Sequence, residues 1–156
     1  MDKATFGAGC FWGVELAFRQ LKGIVSTSVG YMGGHFPNPC YLDVCARITG
    51  HAEVVQVEYN PIEISYENLL ETFWKVHDPT SLNRQGADRG EQYRSVIFYH
   101  TKEQEKVAIQ SKLNLQLSGK YDKEIITEIK AASDYYLAED YHQQYFEKKH
   151  NKQIYE

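Results

Sequence analysis

The sequence predicts an α+β fold: a two-layer α/β sandwich with helices packed on a mixed or antiparallel sheet around a split βαβ, ferredoxin-like core. Three observations lead there. Stretches with strand periodicity and stretches with helix periodicity follow one another along the whole chain. They lack the strict strand–helix alternation of a doubly wound parallel sheet. No linker, repeat or low-complexity stretch divides the 156 residues, so a single domain over 1–156 is expected, long enough to bury its own core.

Each element has a local reason. Lys3–Gly9 reads as a first strand. Gly13–Leu21 reads as a helix, with Val14, Ala17, Phe18 and Leu21 on one face and Gly23 as its stop. Ile24–Tyr31 alternates as a strand, with Val25, Thr27, Val29 and Tyr31 on one side. Gly33–Pro39 has the composition of a loop, and Tyr41–Ala46 of a short helix. Ala52–Tyr59 is the clearest strand: Glu53, Val55, Val57 and Tyr59 share a face, Gln56 and Glu58 the other, and Pro61 ends it. Ser65 caps a helix running to about His77, with Leu69, Leu70 and Phe73 inward. Asp78–Arg89 is a long polar loop and Tyr93–Tyr99 a further strand. Thr101 to Gln104 forms a capping box that opens a helix to about Leu117. Ile125–Lys130 reads as a strand and Glu139–Lys149 as a last helix.

Composition narrows the function classes. With 17 basic and 21 acidic residues the net charge is −4, and no basic tract is present, so nucleic acid is not an expected partner. There is neither a signal-peptide core nor an apolar run of about 18 residues, so a cytoplasmic protein without membrane contact is expected. An odd count of 3 cysteines does not make a disulfide framework, and points to free thiols in a reducing compartment. Cys40, Cys45 and His51 lack the paired spacing of zinc ligands, and no metal is expected.

The chemistry centres on Gly9-Cys10-Phe11-Trp12-Gly13, where a strand hands over to a helix. Glycines allow a tight turn and close approach of a substrate. A thiol at a helix N-terminus faces unpaired N–H groups, which favour thiolate and predict a depressed pKa. The two aromatics offer a flat apolar wall beside the sulfur. Glu53 is the second cue, because a carboxyl group on a core-facing strand position is driven toward its protonated form and becomes a proton donor. Tyr31 and Tyr93, at strand ends, are candidate hydroxyl donors at the sheet rim. Asp88 is a candidate orienting residue just before Tyr93, while Arg94 reads as structural. A cysteine hydrolase using His51, His77 or His142 as base is the alternative.

The signature around Cys10 resembles the active site of peptide methionine sulfoxide reductases of the A class. The likeness continues through Gly30-Tyr31-Met32-Gly33-Gly34, Thr49-Gly50-His51-Ala52-Glu53, His77-Asp78-Pro79-Thr80, Gln92-Tyr93-Arg94-Ser95 and Ala138-Glu139-Asp140-Tyr141-His142-Gln143, from about residue 4 to residue 147. The resemblance implies Cys10 as nucleophile, Phe11 and Trp12 as the methyl pocket, and Glu53 as the acid on the sulfoxide oxygen. It further implies Tyr31 and Tyr93 as hydrogen-bond donors to that oxygen and Asp88 as an ordering residue. Implied substrates are the S-epimer of methionine sulfoxide, in oxidised proteins, in peptides or free. No bound cofactor is implied, and the reductant would be thioredoxin, glutaredoxin or a small thiol. One departure stands out: such proteins commonly carry resolving cysteines in a glycine-rich tail, whereas Gln143–Glu156 contains neither cysteine nor glycine. An external thiol, or Cys40 or Cys45, would then resolve the oxidised Cys10.

Overall fold

The computed structural model describes residues 1–155, with side-chain surroundings through residue 150. The chain runs β1 (Asp2–Ala8), α1 (Phe11–Arg19), β2 (Ile24–Met32), α2 (Tyr41–Cys45), β3 (Ala52–Tyr59) and α3 (Tyr66–Lys75). It continues β4 (Arg84–Gln85), β5 (Asp88–Arg89), β6 (Ser95–Tyr99), α4 (Lys102–Leu117), β7 (Glu128–Ala131), β8 (Tyr136–Leu137) and α5 (Tyr145–Tyr155). A six-stranded sheet has the order β7-β6-β1-β3-β2-β8, and β4-β5 is a separate ribbon. Among the described residues, only β6 and β7 pair in parallel. β1 and β2 both run antiparallel to β3, which lies between them, so β1-α1-β2 is a split βαβ unit. β3-α3-β6 repeats the device with β1 between its strands. This is the ferredoxin-like core that the pattern predicts.

Helices α1, α3 and α4 cover one face of the sheet. Phe6 of β1 anchors that interface, stacking on Phe18 at 5.2 Å and meeting Phe73 at 5.3 Å. All three rings are buried, and each contributes roughly 1.5–3 kcal/mol of transfer free energy. The opposite face carries a smaller cluster of Met32, Ala52, Val54, Val96 and Phe98, covered by irregular chain including Ala132 and Tyr135. Val54 and Ala52 are therefore buried as well as Glu53 and Val55, because at this end the sheet is covered on both sides.

Several boundaries differ from the sequence expectation. α1 begins at Phe11, since Gly13 is tolerated in a first turn whose N–H groups face the Cys10 sulfur. Val25 is 53% exposed, because the register shifts between Ile24 and Ser26 and turns it outward. Part of the 78–89 loop is the β4–β5 ribbon. Tyr93 lies in a 3₁₀ turn, Glu91–Tyr93, ahead of β6 rather than within it. β7 starts at Glu128, leaving Ile125 as a buried anchor in the approach to it. Residues 139–149 are not one helix: a 3₁₀ turn, Asp140–His142, precedes α5.

The break after His142 has a visible cause. Gln143 turns its amide into the sheet edge, where Oε1 accepts from Val29 N at 2.9 Å. Its Nε2 donates to Val29 O and to Ala138 O, each at 2.9 Å. A side chain thus serves as a strand partner just beyond the two residues of β8. Beside it, the buried Glu15 carboxylate accepts from Gln144 N at 2.8 Å and from Thr27 Oγ1 at 2.7 Å, tying the segment to α1 and β2. Gln143→Ala leaves a buried N–H without a partner and is expected to destabilise the fold by roughly 1–3 kcal/mol, read as a lower urea midpoint at unchanged m.

Candidate active site

Three strands of the split core bring the site together. β1 ends at Ala8, and Gly9 takes φ +98, a conformation that side-chain-bearing residues avoid. A Cβ there would lie 2.9 Å from Gln85 Cγ, so the β4–β5 ribbon packs directly on the turn. The turn delivers Cys10 as the N-cap of α1, half-buried. On the neighbouring strand Glu53 is opposite Tyr31 of β2, which places both side chains on the helix-covered face.

Glu53 is 1% exposed, and its Oε1 accepts from Phe11 N at 3.2 Å. Loss of water pushes its pKa up from 4.5 to about 8; the Phe11 N–H pulls it down, and the charge of Asp88 adds to the rise. The carboxyl group is therefore largely protonated at neutral pH, as the strand alternation suggested.

Cys10 corrects the sequence expectation of a depressed thiol. The N–H groups of Trp12 and Gly13 do lower its pKa, but burial raises it more, and Glu53 and Asp88 raise it further, to about 11. The helix terminus favours charge over only its first turn, whereas desolvation acts on the whole group. In the free protein the acid at residue 53 is stronger than the thiol at residue 10.

The other predicted residues gather around this pair with unequal engagement. Phe11 is buried, with its ring 5.8 Å from that of Tyr31. Trp12 stacks on Tyr145 at 3.8 Å and donates from Nε1 to His142 Nδ1 at 2.8 Å. Tyr31 is fully buried, and its hydroxyl donates to Glu139 Oε1 at 3.1 Å. Tyr93 is half-buried, its pKa pushed up to about 12 by burial and by the nearby Glu53 and Asp88. Asp88 is exposed on β5, and among the described residues its carboxylate has no hydrogen-bond partner; it acts on the site through its charge. Cys40 is exposed, with Sγ donating to Asp43 Oδ2 at 3.2 Å. Cys45, at the far end of α2, is half-buried, and its charge and polarity raise the pKa of the nearby Tyr41 hydroxyl. Arg94 pairs with Glu128 at 3.0 Å, away from the thiol.

Sequence reasoning left Tyr41 and Glu139 without roles, and gave His142 one only as a base in the hydrolase alternative. Glu139 receives the Tyr31 hydroxyl on one oxygen and Tyr41 N on the other, at 2.9 Å. The His142 ring is fully buried between Phe11 at 5.1 Å and Tyr41 at 4.7 Å. Its Nδ1 accepts from Trp12, so Nε2 carries the proton, and burial lowers its pKa. For Glu139 and His142 the one signal was their place in the segment Ala138–Gln143; Tyr41 had none.

The histidines decide against a hydrolase. His51 has both ring nitrogens on backbone groups, Gly34 N at 2.9 Å and Phe36 O at 2.7 Å. His77 is held between Phe73 O and Ser95 Oγ, each at 2.7 Å, with its pKa pushed down to about 4 by burial. His142 is turned to Trp12. None of the three is placed to take the Cys10 proton. Engagement of His51 also removes it from a metal set with Cys40 and Cys45, and no cluster of metal-ligating side chains occurs among the described residues.

A thiol at a strand-to-helix turn, a protonated carboxyl group behind it and phenols around the opening define a thiol-dependent oxidoreductase on a ferredoxin-like sheet. Comparison with known proteins narrows the class. The profile of the peptide methionine sulfoxide reductase family matches residues 2–156. A peptide methionine sulfoxide reductase MsrA 1 of Nostoc is 70% identical over 95% of this chain and 91% of its own. An MsrA of Methanothermobacter thermautotrophicus is 59% identical over 99% of this chain and 91% of its own. Among solved structures, Mxr1 of Saccharomyces cerevisiae in reduced form superposes with a TM-score of 0.88 at 38% identity, covering 94% of this chain and 84% of that one. Methionine sulfoxide reductase A of Corynebacterium diphtheriae gives 0.82 at 38% identity, covering 94% and 74%. The chain belongs to the peptide methionine sulfoxide reductase family.

The raised Glu53 carboxyl carries a stability signature. Between pH 4.5 and about 8 the folded protein keeps a proton that the unfolded chain has lost, so stability falls as pH rises through that window and levels off above it. Glu53→Gln is neutral throughout. The variant is expected to melt higher than the parent, with a gap that opens from pH 4.5 and reaches on the order of a few kcal/mol above pH 8; calorimetry across that range checks it.

Proposed function

We propose that the protein reduces the S-epimer of methionine sulfoxide, in oxidised proteins and peptides or free, with Cys10 as nucleophile and Glu53 as acid. The observation that carries the reading is the buried, protonated Glu53 carboxyl group bonded to the N–H of Phe11, one residue from the thiol. Sulfoxide oxygen is a strong hydrogen-bond acceptor and a poor leaving group, so attack at sulfur requires a proton on that oxygen. Glu53 supplies it, the half-buried Tyr93 stands beside the acid, the buried Tyr31 backs the site with its hydroxyl on Glu139, and Phe11 with Trp12 provides the apolar wall for the methyl group.

The acidity order sets the sequence of proton movements. The carboxyl proton passes to the sulfoxide oxygen while the Cys10 sulfur bonds to the substrate sulfur, and the thiol proton returns to the carboxylate. The oxygen then passes to Cys10: the substrate S–O bond and the bond between the two sulfurs break as a Cys10 S–O bond forms. Methionine leaves reduced by two electrons and Cys10 remains as a sulfenic acid. A second thiol condenses with it, releasing water and giving a disulfide, and a further thiol restores Cys10. A structure of Mxr1 in complex with Trx2, with a TM-score of 0.65 at 28% identity over 86% of this chain and 78% of that one, supports a thioredoxin-type reductant. Glutaredoxin or a small thiol would serve the same chemistry. Cys40 and Cys45 are the internal candidates for the second thiol, and both flank the short helix α2 beside the site.

Glu53→Gln is expected to slow sulfenic acid formation in a single turnover by roughly 10²–10⁴-fold, and an unchanged rate removes Glu53 from the mechanism. For the parent protein, kcat/KM should fall as pH rises through about 8, as the acid loses its proton, and this limb should vanish in the variant. Mass spectrometry after one turnover without added thiol separates the routes: a sulfenic acid at Cys10 means external resolution, and a Cys10–Cys40 or Cys10–Cys45 link means internal resolution.

A further inference from the structure

The β4–β5 ribbon and the segment just beyond α2 form a second feature beside the site. A groove of about 440 Å³ is lined by Arg47, Leu82, Asn83, Arg84, Arg89 and Glu91, with the buried Gly90 at its base. Arg84 and Arg89 are directly opposed on the ribbon, so their side chains leave the same face. Arg47 is held at φ +61 and donates from Nη2 to Arg89 O at 3.0 Å, which brings a third guanidinium to that rim. All three arginines are exposed, and none takes part in an ion pair among the described residues. Glu91 is the one acid lining the groove. In a chain of net charge −4, this concentration of unpaired positive charge is a local exception. Like charges directly opposed on a two-stranded ribbon repel, and a bound anion relieves that repulsion.

The ribbon that carries the groove adjoins the reacting centre, since Gln85 packs on Gly9 beside Cys10. Asp88, on the ribbon face opposite the arginines, acts electrostatically on Cys10 and Glu53, so the groove lies on the outer side of the ribbon that walls the site. Glu91 opens the turn that ends in Tyr93, and Arg47 lies two residues beyond Cys45. A sulfoxide is uncharged, so the arginines have no part in its reduction. An extended peptide advances about 3.3 Å per residue, so residues one to three positions from the reacting side chain reach roughly 3–10 Å outward, far enough to meet the rim of the ribbon. Guanidinium groups bind carboxylates in bidentate fashion, and the exposed Leu82 offers apolar contact beside them.

The geometry points to a specificity rim: Arg47, Arg84 and Arg89 select peptides that carry an aspartate or glutamate beside the oxidised methionine. This rests on the reductase reading of Cys10 and Glu53. The test uses three synthetic peptides, each with a single methionine sulfoxide flanked by Glu, Gln or Lys, together with free methionine sulfoxide, all with dithiothreitol as reductant. The parent protein should show kcat/KM in the order Glu > Gln > Lys, with about 3- to 10-fold between the extremes at low ionic strength, shrinking as salt is raised. R84Q/R89Q should abolish the order and R84E/R89E should invert it, while turnover of free methionine sulfoxide stays at the parent rate. Equal rates for the three peptides, or an order that survives in R84Q/R89Q, overturn the proposal. So does a defect in R84Q/R89Q that shows with thioredoxin and not with dithiothreitol, because the groove would then receive the reductant. Failure of the parent protein to turn over free methionine sulfoxide counts against the reductase reading instead.

Discussion

A carboxyl group kept from water is the constraint on which the site depends. Glu53 is almost wholly buried, and among the described residues its one hydrogen-bond partner is the N–H of Phe11. A charged carboxylate in that position is costly, and the group holds its proton to about pH 8. The fold sustains this cost because β3 is a central strand, with β1 and β2 paired on either side. An edge strand would admit water and return Glu53 to an ordinary acidity. Burial of the same region also raises the Cys10 thiol. The two groups therefore share one dry environment that keeps both protonated until something accepts a proton between them.

The C-terminal segment completes that environment. Glu139 takes the Tyr31 hydroxyl and Tyr41 N, His142 fills the space between Phe11 and Tyr41, and Tyr145 covers Trp12. Each contact spans about a hundred residues of sequence. The aromatic wall beside Cys10 is thus only half made by the signature that contains the cysteine, and the remainder comes from a turn near the other end of the chain.

What the sequence disclosed follows the range of the forces involved. Alternation along Ala52–Tyr59 placed Glu53 on the correct face, and side-chain spacing found α1, α3 and α4, because strand and helix periodicity are local. The split core was legible for the same reason. Residues 139–143 were misread as helix because Gln143 bonds to Val29 across the fold, and no local pattern encodes that. The direction of the Cys10 shift was missed because a helix terminus is visible in sequence whereas the depth of a pocket is not. Val25 turned outward because of a register shift that depends on the partner strand.

The Gln143 amide at the edge of β2 has one more consequence. An open strand edge is a template on which any extended polypeptide can add itself by backbone pairing. Here that edge is closed over Gly30 and Tyr31 by a strand of only 2 residues, and at Val29 by a side chain that already occupies both backbone groups. A passing chain finds no continuous ladder to join at the end of β2 nearest the thiol. That edge of the sheet is therefore closed to polypeptides that approach the thiol.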